Sequence, residues 1–337
     1  MTYDKVFITS LPSFYKIRLW NEVSKQIRIY VLFTESKNAS RNNDFCKGNI
    51  QFEHSFVFGG AIAQIKTIVT WFMHNSTSEL VFGGWDKKAS LVMSLLSPKA
   101  KNATILESTA FESQTTGIKA VIKKLFMSRM AKVYAPGTSN AKLAETLGFK
   151  GNLVITGGCG LLNYIKQPEY SPKNEVKKFL FVGRFIPVKN LEFLIRVFNS
   201  LPQFELTIVG FGVLESSLRS IANGNIVFTG AVSNEDLPVV YQKHDVFILP
   251  SKSETWGLVV EEALNNGLPV IVSNRVGCGA DLVTPETGLI FEYNNENSLR
   301  EAIVKISNIS FYNKLAYSVS KVNFFKRASR QINSFVQ

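Results

Sequence analysis

Cysteine is scarce in this chain of 337 residues, and the three cysteines, Cys46, Cys159 and Cys278, are scattered without CxxC spacing. This pattern argues against a disulfide framework and a structural zinc site, and it fits a reducing cytoplasm. Long apolar runs are also missing. The best candidate, residues 61–73, is interrupted by Gln64 and Lys66, so no segment has the ~18 to 20 apolar residues that a spanning helix needs.

The first residues, MTYDKVFITSLPS, lack the charged, apolar and small-residue order of a signal peptide, and they read as a first strand. Histidine is equally rare: His54, His74 and His244 fit no motif and are expected to be packing or surface residues. Acidic residues are outnumbered, and the net charge is +12. The sequence carries no RNP, KH, zinc-finger or helix-turn-helix signature, so this charge does not predict a nucleic-acid partner.

The positive charge is concentrated in the first half, with 20 basic and 10 acidic residues up to Ile165 against 18 and 16 after it. Residues 119–132 (KAVIKKLFMSRMAK) interleave basic and apolar side chains. A helix of this composition could lie on an anionic membrane leaflet. The alternative is an ordinary surface helix whose lysines are merely solvated.

Apolar strand-like runs alternate with helical stretches in both halves, which predicts parallel sheets built from βα units. The predicted strands lie near residues 5–9, 27–33, 51–56, 80–82, 104–106, 132–135, 153–156, 178–182, 205–209, 225–228, 246–249, 269–272 and 288–291. A polar stretch with two prolines, residues 167–176, reads as a linker. The predicted fold class is therefore α/β, with two Rossmann-like doubly wound domains over residues 1–166 and 177–310.

A carboxylate stands on each side of a predicted helix start in the segment PSKSETWGLVVEEA, residues 250–263. Residues 246–250 predict a short strand, and a helical pattern begins at Gly257. Glu254 then precedes the helix and Glu262 lies inside it. The free N–H groups of the first helical turn favour an anion such as a diphosphate.

This order of carboxylate, anion site and carboxylate suits an extended nucleotide diphospho-sugar. The helix rises about 7 to 8 Å from Gly257 to Glu262, at about 1.5 Å per residue. A carboxylate accepts hydrogen bonds from two neighbouring hydroxyls, so one acid can hold the hexose and the other the ribose. The adjacent Glu261 reads as an ordinary helix-face acid.

Five blocks of the second half resemble, in order, the motifs of retaining glycosyltransferase family four, also called glycosyl transferases group one. The segment from Glu254 to Glu262 is similar to the E-x7-E motif of that family. The other blocks are FLFVGRFIPVKN (179–190), LTIVGFG (206–212), NIVFTG (225–230) and PVIVS (269–273). The resemblance is good over residues 177–305. It implies the GT-B architecture, in which two doubly wound domains face a cleft, and a final helix, within residues 311–337, that crosses back to the first domain.

The resemblance also implies roles for the matching residues, which singly would read as ordinary surface cations and acids. Arg184 and Lys189 would neutralise the departing diphosphate, together with the amides at the helix start. Glu254 would hold the sugar hydroxyls and Glu262 the ribose. The implied catalytic residues are Arg184, Lys189 and Glu254, and the implied donor-binding residues are Gly183, Gly210, Gly257, Leu258, Val259 and Glu262.

The first half, which would bind the acceptor, resembles the family only loosely. The turn after the first strand, residues 10–13, contains none of the glycines that many relatives carry there. Glu107, after a predicted strand, is the best candidate for orienting the acceptor hydroxyl, although a helix N-cap cluster is an alternative reading. Gly84, in the GGWD turn, is the second acceptor-side candidate. Residues 157–160 depart from the family pattern.

The resemblance implies a retaining hexosyltransferase that needs no metal or other cofactor and uses a nucleotide-diphosphate sugar as co-substrate. The expected acceptor is a glycan or a polyprenyl-diphosphate-linked molecule of bacterial surface polysaccharide synthesis (O-antigen, capsule or exopolysaccharide). The expected location is the cytoplasm, peripheral at an anionic inner membrane surface. The alternatives are a nucleotide-sugar epimerase or phosphorylase on the same fold, and a non-catalytic binding subunit.

Overall fold

The computed structural model describes residues 1–36, 45–46, 48–166 and 168–337. These residues form two compact units. The first comprises Met1–Leu162 and Phe325–Gln337, and the second comprises Asn163–Phe324. Each unit is built on one parallel sheet.

The sheet of the first unit has the strand order β3-β2-β1-β4-β5-β6-β7 within the described residues. Its strands are β1 (Thr2–Thr9), β2 (Ile29–Phe33), β3 (Glu53–Phe56), β4 (Ser76–Phe82), β5 (Asn102–Ile105), β6 (Lys132–Ala135) and β7 (Asn152–Ile155). The chain runs from β1 to one edge and then returns to place β4 on the other side of β1. The strand order therefore reverses between β1 and β4, where ligands bind in doubly wound folds.

Helices cover both faces of this sheet. They are α1 (Phe14–Ser24), α2 (Ala61–His74), α3 (Lys88–Leu96), α4 (Gly117–Ser128), α5 (Thr138–Thr146) and, at the end of the chain, α13 (Phe324–Val336). Right-handed crossovers place α1 on one face and α2 to α5 on the other. The helix α13 lies on the same face of the sheet as α1, because the Phe7 side chain packs on both Trp20 of α1 (ring centroids 5.3 Å apart) and Phe335 of α13 (6.1 Å).

The sheet of the second unit has the order β10-β9-β8-β11-β12-β13. Its strands are β8 (Lys178–Val182), β9 (Glu205–Val209), β10 (Ile226–Gly230), β11 (Val246–Leu249), β12 (Val270–Ser273) and β13 (Gly288–Phe291). Its helices are α6 (Leu191–Asn199), α7 (Glu215–Ser220), α8 (Leu237–Gln242), α9 (Leu258–Asn265), α10 (Gly279–Leu282), α11 (Glu296–Ile306) and α12 (Ile309–Val319). The strand order reverses between β8 and β11. The side chains of β11 and β12 are buried throughout, as expected for strands covered on both faces.

The prediction of two doubly wound parallel-sheet units is confirmed, and every predicted strand is present with small shifts at its ends. The units divide after Leu162, whereas the sequence analysis drew the boundary at 166 and a linker over 167–176. The described part of that segment packs within the second unit: Lys173 pairs with Asp245, and its backbone N–H donates to the Asn313 side chain (2.9 Å). Polar composition indicated a linker, but these polar groups find partners just before β11 and on α12.

The basic segment 119–132 is not one continuous amphipathic helix, because α4 ends at Ser128. Arg129 donates to the Ser94 and Ser97 carbonyls, and Lys132 begins β6 and pairs with Glu79 (2.7 Å). Two of the predicted surface cations are thus bound to the unit itself. The exposed part of the segment is α4, where Ile118, Val121, Ile122 and Leu125 are 83%, 65%, 43% and 46% exposed.

Among the described residues, no helix is long and apolar enough to cross a membrane.

Candidate functional site

The candidate site of the second unit lies where β8 and β11 end. These strands are hydrogen-bonded neighbours, with Val246 opposite Phe179 and Phe247 opposite Leu180. Because the strand order reverses between them, the loops that follow diverge and leave a crevice at their carboxyl ends. The predicted catalytic residues belong to these loops: Arg184 and Lys189 follow β8, and Glu254 follows β11.

Lys189 and Glu254 are brought into direct contact. Lys189 ends a 3-10 turn, and its ammonium donates to Oε2 of Glu254. The two side chains are 11% and 20% exposed, so the pair is largely withdrawn from water but still accessible. The carboxylate accepts one of the three ammonium donors, so the other two can still donate to a diphosphate.

Two hydrogen bonds tie the loop after β8 to the loop after β11. Asn190 Nδ2 donates to the Pro250 carbonyl (3.3 Å), and the Lys252 N–H donates to the Val188 carbonyl (2.8 Å). Asn190 has φ +57°, a left-handed conformation that asparagine tolerates better than most residues. One of these bonds comes from the Asn190 side chain and the other joins two backbone groups, so the Lys189–Glu254 contact does not depend on surface side chains alone.

Gly210 lets the turn after β9 pack against the turn after β8. A Cβ atom at Gly210 would lie 1.9 Å from the Gly183 carbonyl oxygen, and the residue has φ +136°. The Gly183 N–H also donates to the Val209 carbonyl (2.9 Å). The next residue, Arg184, is half-buried. Glycine at 210 is thus required by contact between backbones, and the contact sets the course of the chain just before Arg184.

The segment that leads into α9 packs against the loop after β12. Gly257 has φ +108° and precedes Leu258, the first residue of the helix, and Leu258 and Val259 are half-buried. Two backbone hydrogen bonds, from Gly277 N–H to the Glu254 carbonyl (2.8 Å) and from Cys278 N–H to the Trp256 carbonyl (2.8 Å), fix the approach. Glu254 consequently stands just before the positive end of the helix dipole.

Glu262 lies one turn further along α9 and is half-buried. Its Oε2 accepts a hydrogen bond from the Tyr241 hydroxyl (3.0 Å), and Tyr241 is fully buried on α8. Burial, and then the negative charge of Glu262, raises the pKa of Tyr241 well above its usual value. The phenol therefore stays protonated and keeps donating, which holds the Glu262 carboxylate in one orientation.

Glu261 is a buried carboxylate, which the sequence analysis wrongly interpreted as a helix-face acid. It is 0% exposed and accepts hydrogen bonds from Trp256 Nε1 (3.1 Å) and the Tyr164 hydroxyl (2.8 Å). The sequence could have predicted this burial, because Glu261 stands three residues before Leu264, on the face of the helix that packs inward. A charge at such a position implies a specific partner, and the only tryptophan within reach in sequence is Trp256.

Glu107 in the first unit pairs with a lysine that sequence reasoning did not single out. Its Oε1 lies 2.8 Å from Nζ of Lys16, a buried residue of α1. Burial alone would lower the pKa of Lys16, but Glu107 and Tyr15 raise it above its ordinary value. Burial, followed by Glu107, raises the pKa of Tyr15 to about 12. A charged lysine and a protonated phenol therefore lie beside this candidate.

Gly84 is also placed at a strand end, in the turn after β4. Its neighbour Gly83 donates its N–H to the Ile8 carbonyl of β1 (2.8 Å). The turn thus lies where the strand order of the first sheet reverses.

No group of three or more histidine, cysteine, aspartate or glutamate residues among those described could hold a metal ion.

Two α/β units with parallel sheets of seven and six strands define the GT-B class of folds. Sucrose-phosphate synthase from Thermosynechococcus elongatus has a TM-score of 0.77 at 17% identity, covering 98% of each chain. Anabaena HepE, solved in complex with UDP, has a TM-score of 0.74 at 13% identity, covering 98% of this chain and 99% of that chain. At these identities the likeness concerns the fold alone.

Residues 165–320, a little under half of the chain, match the family model of glycosyl transferases group 1. Sulfoquinovosyl transferase SQD2 of Arabidopsis thaliana is 34% identical over 135 residues, which is 39% of this chain. An uncharacterized 41.2 kDa protein in the cps region of Klebsiella pneumoniae is 31% identical over 172 residues, 49% of this chain. A GDP-mannose-dependent alpha-mannosyltransferase of Mycobacterium tuberculosis is 38% identical over 128 residues, 37% of this chain.

The matched segments span 26%, 48% and 33% of these three relatives, so the chain covers less than half of each.

Proposed function

We propose that the protein is a glycosyltransferase that moves a hexose from a nucleotide-diphosphate sugar to an acceptor hydroxyl, with retention at the anomeric carbon. The observation that carries this proposal is the contact of Lys189 with Glu254 beside the start of α9. It supports the proposal because a cation, a carboxylate and a helix N-terminus then adjoin the crevice of a segment that matches the glycosyltransferase family model.

The diphosphate would be held by Lys189, Arg184 and the N–H groups of Leu258 and Val259. Negative charge grows on the diphosphate as its bond to the sugar breaks, and fixed donors at that point lower the barrier. These protein cations provide the charge that a divalent metal supplies in other transferases, so the proposed reaction is metal-independent. Glu262, oriented by Tyr241, would accept hydrogen bonds from the ribose.

Glu254 would exchange its hydrogen bond with Lys189 for hydrogen bonds from the sugar hydroxyls. The bond between the anomeric carbon and the phosphate oxygen breaks, and the diphosphate keeps the electron pair. The acceptor oxygen forms the new bond on the same face, and its proton passes to the diphosphate oxygen. The configuration is retained because both bonds lie on one face of the sugar.

The acceptor would be bound in the first unit, where Gly84 and the Glu107–Lys16 pair follow the strand ends. A glycan or polyprenyl-diphosphate-linked acceptor of surface polysaccharide synthesis is favoured by the relative in the cps region of Klebsiella pneumoniae. The four exposed apolar residues of α4, with exposed Lys119 and Lys124 between them, favour peripheral binding to an anionic membrane.

Titration with UDP, GDP and ADP tests the donor site. One of them should bind, and Lys189→Gln should weaken that binding about tenfold or more, since it removes a charge-assisted contact. Lys252→Gln is the matched control, because Lys252 is exposed on the same loop as Glu254. Equal loss in both variants, or no binding of any nucleoside diphosphate, would refute the proposed site.

Turnover is tested by incubating the cognate nucleotide sugar with a membrane lipid extract and following product by mass spectrometry, with and without EDTA. Transfer that survives EDTA and is lost in Glu254→Gln supports the proposal. A donor that changes without any acceptor would instead identify an epimerase. If cells carrying Glu254→Ala make glycan of normal length, the protein is a non-catalytic binding subunit.

Membrane binding is tested with vesicles that contain phosphatidylglycerol. Pelleting should fall steeply between low and high salt, because surface charges are screened within about 10 Å at 0.1 M. Replacing Val121 and Leu125 by glutamate should abolish it, whereas the same change at Val239, exposed on α8, should not. Pelleting that is independent of salt contradicts the electrostatic part of the proposal.

A further inference from the structure

An apolar cavity of about 380 Å³ opens in the first unit between α2, α3 and the start of β4. Its walls are mainly Val69, Phe72, Leu80, Met93 and Leu96. The volume lies in the range of small-molecule sites, which are typically mostly apolar with a few polar groups. Neither the family match over 165–320 nor the candidate site includes any of these residues.

The polar side chains of the cavity wall already have partners in the protein. The Thr77 hydroxyl donates to the Glu79 carbonyl (2.7 Å), and the Ser97 hydroxyl lies 2.7 Å from the Met93 carbonyl as donor. Their hydrogens are thus directed to acceptors within the protein, which for Ser97 include the Asn102 side-chain oxygen (2.7 Å). The interior is consequently mainly apolar and suits a hydrocarbon rather than a sugar or a nucleotide.

The cavity lies at the opposite end of the sheet from the candidate site of its unit. It is lined by Ser76 and Thr77, the first residues of β4, whereas Gly84 follows the last residue, Phe82. A strand of this length spans about 20 Å at about 3.3 Å per residue. A ligand in the cavity is therefore separate from an acceptor at Gly84 or Glu107.

The mouth of the cavity is positively charged. Lys101 lines it and donates to the Thr77 carbonyl (2.9 Å), a neutral acceptor that does not compensate its charge. Lys101 ends a 3-10 turn (Lys99–Lys101), and Lys99, at the start of this turn, is exposed. From Lys87 to Leu106 the chain contains no acidic residue, so α3 and the turn that carries Lys99 and Lys101 bring no negative side chain to the mouth.

Exposed apolar side chains surround the same opening. Val69 and Leu96 of the wall are 38% and 65% exposed, and the neighbouring Met73 and Leu95 are 75% and 45% exposed. A surface with this much apolar exposure beside lysines is typical of proteins that contact lipid.

We propose that this cavity binds one acyl chain of an anionic phospholipid, whose phosphate is held by Lys101 and Lys99. The occupant follows from the combination of a mainly apolar interior and an uncompensated cationic mouth. The bound lipid fixes the first unit on a membrane at a point about a strand length from Gly84. The inference uses the proposed membrane location but is independent of sugar transfer.

The test is a titration of the full chain with monomeric lauroyl lysophosphatidylglycerol below its micelle concentration. Binding should be saturable at one site, weaker by about tenfold or more with the choline headgroup, and absent with glycerol phosphate, which has no chain. Lys101→Gln should remove most of the preference for glycerol over choline. Absence of saturable binding by the wild-type protein overturns the inference.

Val69→Trp fills the mouth and should reduce lysophosphatidylglycerol affinity at least tenfold. Ile62→Trp is the matched control, since Ile62 is on the same helix, 85% exposed, and outside the cavity wall. Unchanged melting temperatures establish that both variants fold. Equal affinities in the two variants refute the site. Nucleoside diphosphate titration of the same samples separates the lipid-site proposal from the sugar-transfer proposal. Val69→Trp should leave nucleotide binding intact. Lipid binding by a protein that binds no nucleotide would refute only sugar transfer.

Discussion

The indole N–H of Trp256 donates to the fully buried carboxylate of Glu261, at 3.1 Å. Trp256 immediately precedes Gly257, which opens α9, and it follows Glu254 by two residues. The carboxylate is thus a fixed point on the helix to which the loop carrying Glu254 is attached. Glu261 acts as a positioning residue, because it touches the loop and not the crevice.

Replacing Glu261 by leucine should destabilise the protein by about 1–3 kcal/mol, because it leaves the buried Trp256 donor without its acceptor. Glu261→Gln, which keeps an acceptor oxygen, should cost less. Urea unfolding measures both, with Glu301→Leu on the exposed face of α11 as control. If Glu261→Leu is no less stable than this control, the buried network does not hold the loop.

Glu254→Gln should separate nucleotide binding from turnover. A diphosphate and the Glu254 carboxylate compete for the Lys189 ammonium, so neutralising the carboxylate should tighten nucleoside diphosphate binding several-fold. Transfer should fall about tenfold or more, because the sugar hydroxyls lose a charged acceptor. Calorimetry and initial rates give the two numbers. Weaker nucleoside diphosphate binding in Glu254→Gln would be the contrary result.

Gly210→Ala tests the contact between the two glycine turns. The new methyl group would lie 1.9 Å from the Gly183 carbonyl oxygen, and overpacking of this kind costs about 1–3 kcal/mol. Nucleoside diphosphate binding should weaken with it, since Arg184 follows the displaced turn. Gly224→Ala is the control: nothing lies within 4 Å of its added methyl, and its effect on unfolding should be near zero or slightly stabilising.

His244 makes stability depend on pH. Burial lowers its pKa below 6.5, opposed by its hydrogen bond to the Val240 carbonyl, 2.7 Å away, and by Asp245. The unfolded chain therefore binds a proton more readily than the folded chain. Stability is complete above about pH 6.5 and is lost as the pH falls toward the folded pKa.

His244→Asn should reduce this loss between pH 7 and pH 5, as measured by urea unfolding at a series of pH values. His74→Asn changes an exposed histidine and should leave the pH profile as it is. Identical profiles for the wild-type protein and His244→Asn would contradict the assignment.

The three thiols should react unequally. Cys278 is buried, and burial followed by the charges of Glu261 and Glu254 raises its pKa well above the ordinary value. Cys46 and Cys159 are half-buried. Iodoacetamide at pH 8 should alkylate Cys46 and Cys159 in the native protein and Cys278 only after unfolding, because the thiolate is the reacting form. Peptide mass spectrometry gives the order, and early labelling of Cys278 would contradict its burial.

Much of the fold could be predicted from the sequence because its signals are local. Apolar runs of strand length, such as residues 178–182 and 246–249, and the glycine at the start of α9 depend on neighbours a few positions away. The segment 119–132 shows the limit of such signals. Its alternation of basic and apolar residues suggested a basic surface helix. Arg129 and Lys132 instead turn inward to partners on α3 and β4, which no local pattern reveals.

The sequence by itself determined the strands, the helix starts and the motif glycines, because period and turn chemistry are properties of short segments. Tertiary structure alone decided the contacts of Lys189 with Glu254, Lys16 with Glu107 and Trp256 with Glu261. The first depends on β8 and β11 becoming neighbours at a reversal of strand order, and the second on β1 and β5 lying on either side of β4. The third depends on which face of α9 turns inward. The strand order and the inward face of α9 are both set by the burial of whole sheets and helices, to which a single side chain contributes little.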